Sequence, residues 1–254
     1  MIHIENVSKS FGTRRVLRDC DLEVRQGETL VVIGSSGTGK STLLRIVIGL
    51  VRPDRGRVLV DGRDVHALRP AELRALRARM GYLFQTGALI NWLTVGENVA
   101  LPLVETTKLP PAHIDAKVDE TLEMVGLAGT RDLMPDQLSG GMRKRAGLAR
   151  SLVSGPEILL YDEPTTGLDP VTAHIIDQLI VDLRERLRVT SIVVSHDMAG
   201  AYRVADRVAM LYDGRILAQG TPAEFKSSPD PIVRQFVTGA LEGPLSDFPK
   251  EARP

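Results

Sequence analysis

Short apolar runs bounded by turn signals alternate along this chain with stretches whose apolar residues recur at helical spacing. Strands are predicted at Ile2 to Val7, Leu17 to Val24, Glu28 to Ile33 and Arg57 to Val60, the last running into Asp61-Gly62. A helix is expected over residues 71–80, then a buried strand at Gly81 to Phe84 with Gln85 at its end. From about Thr86 to Pro156 the pattern turns mostly helical. Strands return at Ile158 to Tyr161, Ser191 to Val194 and Val208 to Leu211, around a helical stretch at 170–187, and Asp213-Gly214 is a hairpin signal. Such alternation points to an α/β fold with a largely parallel sheet, helices on its faces and a helical lobe inserted in it. No internal repeat or low-complexity segment interrupts the pattern.

One strand-to-helix junction changes the picture. Gly34-Ser35-Ser36-Gly37-Thr38-Gly39-Lys40-Ser41-Thr42 fits G-x-x-x-x-G-K-[ST], after the run Thr29 to Ile33 and before Leu43, Leu44, Ile46 and Val47 on one helix side. Glycines there let backbone N–H groups turn toward phosphate oxygens at the positive end of a helix. Lys40 can reach β- and γ-phosphates, and the Ser41 hydroxyl can ligate Mg²⁺.

Composition narrows the rest. The chain has 254 residues, enough for one large domain or a domain with a sub-domain. Lys plus Arg and Asp plus Glu both number 32, which gives no argument for nucleic acid or an acidic membrane surface. Cys20 is the only cysteine, so an internal disulfide and a cysteine metal cluster are excluded. No apolar run approaches the roughly 18 residues of a membrane span, and the start from Met1 reads as neither leader nor cleavage site. His3, His66, His113 and His174 lie apart without ligand spacing.

Further motifs follow in order. Ile158 to Tyr161 is an apolar strand running into Asp162 and Glu163; Asp162 can hold Mg²⁺ and Glu163 can orient and polarise a water. Alone, these carboxylates would read as caps of the next helix. Leu138-Ser139-Gly140-Gly141-Met142 opens a helix running through Lys144 and Ala149, with N–H groups bare for an anion or a plain N-cap. Asp169 follows Gly167-Leu168, and His196 follows the strand Ser191 to Val194. Ser195-His196-Asp197 is no serine-hydrolase triad, since sequence neighbours at a strand end point apart.

In this order the motifs resemble those of the ATP-binding-cassette (ABC) ATPases, up to about Pro222. The resemblance implies a P-loop NTPase with an N-terminal antiparallel β-subdomain, a helical subdomain at about 86–156, an ATPase domain over 1–223 and a tail over 224–254. It implies that Phe11 stacks on adenine beside Val16. Gly34 to Thr42 become the Walker A loop, Asp162 and Glu163 the Walker B pair, and Gln85 a glutamine near Mg²⁺ and the water. Ser139, Gly140, Gly141 and Met142 become the signature, Asp169 the D-loop aspartate and His196 a γ-phosphate contact. The usual signature ends in Gln rather than Met142, so an amide is lost while the backbone donors remain. ATP and Mg²⁺ are the implied cofactors. Cassettes of this kind pair head to tail, so a second copy is the implied partner.

Gly87 to Val95 is unusually apolar for a loop, and Trp92 with Leu89 and Ile90 suits either a docking groove for a membrane subunit or the lobe's own core. Arg143-Lys144-Arg145 reads as a solvated helix face rather than a nucleic-acid contact. The runs Leu83 to Leu89, Leu138 to Ala146 and Asp230 to Phe236 are similar to the ATPases of Mla/Mkl-type lipid transporters. That resemblance implies a multi-span permease, an Mce-domain substrate-binding partner and a place on the cytoplasmic face of the cell membrane. In the tail, Ile232, Val233, Phe236, Val237 and Ala240 predict an amphipathic helix ended by Gly243-Pro244, packed on its own domain or, as the resemblance favours, crossing to the second copy. Alternatives are an ATPase for a small polar nutrient, a soluble ABC protein (disfavoured by the single cassette), and a switch without turnover (disfavoured by Glu163).

Overall fold

The structure is a computed structural model in which residues 1–245 are described. The chain opens with β1 (Ile2–Phe11) and β2 (Arg14–Val24), then β3 (Thr29–Ile33) and α1 (Lys40–Val47). Next come β4 (Arg55–Val60), β5 (Arg63–Asp64), α2 (Pro70–Arg77) and β6 (Met80–Leu83). Three helices follow, α3 (Val95–Thr106), α4 (Pro111–Met124) and α5 (Gly140–Leu152), with a 3₁₀ turn at Pro135–Gln137. The chain then runs through β7 (Ile158–Asp162), α6 (Pro170–Leu187), β8 (Thr190–Ser195), α7 (Met198–Val204), β9 (Arg207–Tyr212) and β10 (Arg215–Gly220). It finishes with α8 (Pro222–Lys226) and α9 (Pro231–Thr238).

The strands form an antiparallel sheet ordered β2-β1-β4-β5 and a larger sheet ordered β10-β9-β3-β8-β7-β6. In the larger sheet β9, β3, β8, β7 and β6 pair parallel, and β10 returns antiparallel through Asp213-Gly214. Alternation along β3 sorts the core. Leu30 and Val32 join a cluster with α1 and the antiparallel sheet, while Val31 and Ile33 join one with the helices between β6 and β7 and with α6. A parallel sheet covered on both faces explains why β3, β7 and β8 are buried along their whole length and carry apolar runs instead of an apolar-polar alternation. The predicted sheet class is what the structure has.

Several boundaries differ from expectation. β1 and β2 extend into a hairpin that leaves Phe11 at a strand end. α2 stops at Arg77 and β6 starts at Met80, because β6 must register with β7 from Met80↔Ile158 to Leu83↔Tyr161. Phe84 and Gln85 therefore lie beyond the strand, where the Gly87 N–H donates to the Phe84 carbonyl and turns the chain. Residues 86–94 are not helical, while α7 and α8 were not anticipated.

The tail helix is also corrected. α9 ends at Thr238 on Gly239, whose left-handed φ of 65° caps it, so Ala240 lies outside. Val233 is buried and Ile232, Phe236 and Val237, half-buried, pack on the main core beside Phe225, so within one chain the helix rests on its own domain. The expected tail over 224–254 runs past the described residues from position 246.

β6 lies so close to α5 that a Cβ on Gly81 would sit 2.3 Å from the Ser151 carbonyl oxygen and 2.6 Å from Leu159 Cδ2. Gly81→Ala is therefore expected to destabilise the fold by about 2 kcal/mol or more through overpacking, read from the urea midpoint. An unchanged midpoint would show that the two elements do not pack this tightly.

Candidate functional site

Parallel strands β3, β8 and β7 lie side by side, with Ile33 opposite Ser195 and Val194 opposite Asp162. Their carboxyl ends therefore bring the loop 34–39, His196 and the Asp162-Glu163 pair to one edge, where open α/β sheets place ligands. The loop from Gly34 delivers Lys40 and Ser41 at the first turn of α1. Its last residue, Gly39, caps α1 with φ 104°, and a Cβ there would fall 2.8 Å from Val16 Cγ1, so glycine is required twice over. The Thr38 hydroxyl donates to the Ser35 carbonyl at 2.9 Å, and Arg14 Nη2 donates to the Gly37 carbonyl at 3.1 Å, bracing the loop.

A cleft of about 400 Å³ opens over this loop. Phe11, Val16, Ser36, Gly37, Gly39, Lys40, Ser41, Thr42, Gln85 and Glu163 line it, together with Arg14. Phe11 is 51 % exposed at the mouth, with Lys9 Nζ 5.4 Å from its ring centroid.

Lys40 is buried. Its ammonium donates to the Gly34 and Ser35 carbonyls at 2.7 and 3.1 Å and lies 3.3 Å from Glu163 Oε1. The Ser41 hydroxyl donates to Asp162 Oδ1 at 2.6 Å, and the Tyr82 hydroxyl donates to Oδ2 at 3.0 Å. Burial, then the Asp162 charge, pushes the Tyr82 phenol well above its usual range, so it stays a donor. Asp162 thus caps no helix. With Ser41 it offers the all-oxygen donors that a small hard cation such as Mg²⁺ prefers. Among the described residues no cluster of three or more His, Cys, Asp or Glu could hold a metal by itself.

Glu163 is the most constrained residue here. Its φ of 51° lies in the left-handed region, which costs a non-glycine residue of order 1 kcal/mol. Its amide donates to the Val194 carbonyl at 3.0 Å and the Thr166 hydroxyl donates to its Oε2 at 2.9 Å. His196 Nδ1 lies 2.8 Å from the same oxygen. An ionised carboxylate only accepts, so Nδ1 carries the proton in that contact and Nε2 is left for another partner.

The other motif residues stand apart from this cleft. Ser139 caps α5 by accepting from the Met142 N–H at 3.2 Å; Ser139 and Gly140 are exposed, Gly141 is buried and Met142 half-buried against the core. None of the four lines the cleft. Asp169 caps α6 by accepting from the Val171 and Thr172 N–H groups at 3.1 and 3.0 Å, and its carboxyl pKa is lowered by the Thr172 side chain first and then by these backbone bonds. Leu89 packs on the core and Ile90 binds Asn98 through its backbone, whereas Trp92 is 80 % exposed.

Lys144 overturns the solvated-face reading of Arg143-Lys144-Arg145. It is buried, with its ammonium donating to the Gln85 carbonyl and, at 3.0 Å, to the Glu163 carbonyl. Burial lowers its pKa, opposed by the charges of Glu163 and Asp162. Arg145 is half-buried and donates to the Gly126 carbonyl at 2.8 Å; only Arg143 is exposed. Lys144, Tyr82, Thr166 and Arg14 were missed as site residues. The one available hint was a lysine on the inward side of a helix whose neighbours Gly141 and Leu148 face the core.

Comparison with known proteins fits this geometry. The family model described as ABC transporter matches residues 17–166. The chain is 42 % identical over 244 residues to the probable ribonucleotide transport ATP-binding protein mkl of Mycobacterium leprae, covering 96 % of this chain and 70 % of that protein. It is 41 % identical over 245 residues to the intermembrane phospholipid transport system ATP-binding protein MlaF of Escherichia coli K12, covering 96 % and 91 %. Among solved structures, an ATP-binding cassette captured as a dimer in a post-hydrolysis state with ADP and Pi superposes with a TM-score of 0.80 at 34 % identity, over 87 % of this chain and 99 % of that one.

Proposed function

The chain belongs to the ABC transporter family of ATP-binding, ATP-hydrolysing subunits, and we propose that it powers phospholipid movement as the energy-coupling subunit of a membrane transporter. The observation that carries the catalytic reading is one contact network at the cleft: Lys40, Ser41 and Glu163 line it and pair with each other or with the two groups behind them, Asp162 bound by Ser41 and His196 by Glu163. In this reading Phe11 and Val16 receive the adenine. The backbone of Gly34, Ser35, Ser36, Gly37, Thr38 and Gly39, with Thr42, cradles the phosphates, and Lys40 neutralises their β and γ oxygens. Ser41, Asp162 and Gln85 would hold Mg²⁺, whose role when bound is to neutralise phosphate charge. Glu163 orients the attacking water, and His196, held by Glu163 through Nδ1–H, faces the γ-phosphate, to which Nε2 donates only in the form that carries a proton on both ring nitrogens. The rate gain comes from positioning and charge stabilisation, without a covalent intermediate.

Ser139, Gly140, Gly141, Met142 and Asp169 have no place at this chain's own cleft. A second copy, head to tail, gives them one: the exposed start of α5 would close over the partner's nucleotide. That a relative of 34 % identity is dimeric with ADP and Pi bound supports the pairing of two copies. Ser139→Asp tests it. Aspartate caps a helix as well as serine, so the fold should hold, but its carboxylate would meet the partner's phosphates. Hydrolysis is expected to fall at least about tenfold while nucleotide binding changes less than about threefold. Undiminished hydrolysis would remove the second copy from the site.

Phospholipid as cargo rests on the similarity to MlaF across 96 % of this chain. The relative mkl is named for ribonucleotides, and the cassette itself touches no cargo in this reading, so membrane partners decide. The subunit would sit on the cytoplasmic face of the cell membrane, held by a permease; no helix among the described residues is long and apolar enough to cross a membrane. Purification of the native complex is expected to recover a multi-span permease and an Mce-domain protein. A receptor for a small polar nutrient would overturn the lipid reading.

A further inference from the structure

Lys144 lies behind the reactive edge rather than in it. It does not line the cleft, and its ammonium is buried and engaged by main-chain carbonyls rather than turned toward the phosphate loop. A buried cation is strongly unfavourable unless partners compensate it. Here the partners are two main-chain carbonyls, of Gln85 and Glu163, contributed from sequence separations of 59 and 19 residues. Three elements therefore meet at one ammonium: the helix α5 that opens at Ser139, the loop after β6, and the turn after β7.

Geometry at Glu163 shows what this junction controls. The left-handed φ of 51° is a conformation that a glutamate does not hold unaided, and swinging its peptide would redirect the side chain. The amide of that residue is fixed by the Val194 carbonyl and its own carbonyl by Lys144, so the main chain is clamped on both sides. With the backbone set, the carboxylate reaches Lys40, Thr166 and His196.

We propose that Lys144 is a positioning residue for ATP hydrolysis, holding the Glu163 turn and the Gln85 loop from the signature helix so that the Glu163 carboxylate faces the cleft. This rests on the reading of Glu163 as the group that orients water. It goes beyond that reading by giving the signature helix a contact within its own subunit to the catalytic turn, separate from the one it would make to a partner's nucleotide.

The test is a mutant cycle on the full chain in its native complex, with Lys144→Met, Glu163→Gln and the double variant, plus Lys144→Arg. Lys144→Met is expected to lower kcat about 10- to 100-fold while the nucleotide Kd stays within about threefold and thermal unfolding remains cooperative. Lys144→Arg, whose fork can span two carbonyls, should recover most of the lost rate. In the Glu163→Gln background, Lys144→Met should subtract nothing further from the slow single-turnover rate, because the group it positions is gone. Undiminished kcat in Lys144→Met, or an equal fold-loss in both backgrounds, overturns the proposal. If Glu163→Gln hydrolyses like the wild type, the reading of Glu163 fails and this inference with it. A stalled Glu163→Gln beside a fully active Lys144→Met sinks this inference alone.

Discussion

Glu163→Gln is expected to bind ATP with near-normal affinity and to lose at least about 10²-fold in steady-state turnover, the lower range for removing a positioned general base. The amide is nearly isosteric with the carboxylate, so the contacts with Thr166 and His196 can be kept after reorientation of its NH₂ and O. What disappears is the negative charge and the capacity to take a proton from water. The ion pair with Lys40 also disappears, freeing that ammonium for phosphate oxygens. Binding should therefore hold or tighten while hydrolysis stops, and if two copies close on nucleotide, the closed pair should accumulate. Phosphate release and size-exclusion chromatography in ATP read both effects. Wild-type turnover would take Glu163 out of the chemistry.

That prediction draws on residues legible from the chain alone, because each sits at a junction that local pattern reveals. The run Thr29 to Ile33 followed by a glycine loop and a helical side specifies a strand, a phosphate-sized turn and a helix start within a few residues. The run Ile158 to Tyr161 places two carboxylates at a strand tip in the same way. Parallel sheet class follows from strands that carry apolar runs and are separated by helices. Strand order does not, and it is the order that sets His196 between the loop and the carboxylates.

Contacts between distant segments were illegible for the same reason. Lys144 looked like the middle of a basic surface cluster, since nothing local signals that two carbonyls far along the chain need its donors. Tyr82 looked like one more apolar strand residue, yet its hydroxyl fixes Asp162 across 80 positions. The tail helix was correctly periodic, but periodicity gives an apolar face and not what covers it. Within one chain it rests on Phe225 and the main core.

Lys40→Ala is expected to have the largest effect of all, because it acts on binding and turnover together. A charge-assisted hydrogen bond is worth about 1.5–3 kcal/mol, so losing the ammonium should weaken ATP binding by about 10- to 100-fold. Removing one preorganised donor to developing charge costs a further 10²–10³-fold in rate, about 2.7–4 kcal/mol, which brings hydrolysis below ordinary detection. The ammonium is already seated inside the loop on the Gly34 and Ser35 carbonyls and beside Glu163, so phosphate oxygens exchange with existing partners and little reordering is required. In the variant the buried Gly34 carbonyl and the Glu163 carboxylate lose this partner, so a lower melting temperature with a still cooperative transition is expected beside the two functional losses. Fluorescent-nucleotide titration and phosphate release separate the two effects. Near-normal values in both would mean that the loop from Gly34 to Thr42 does not hold phosphate.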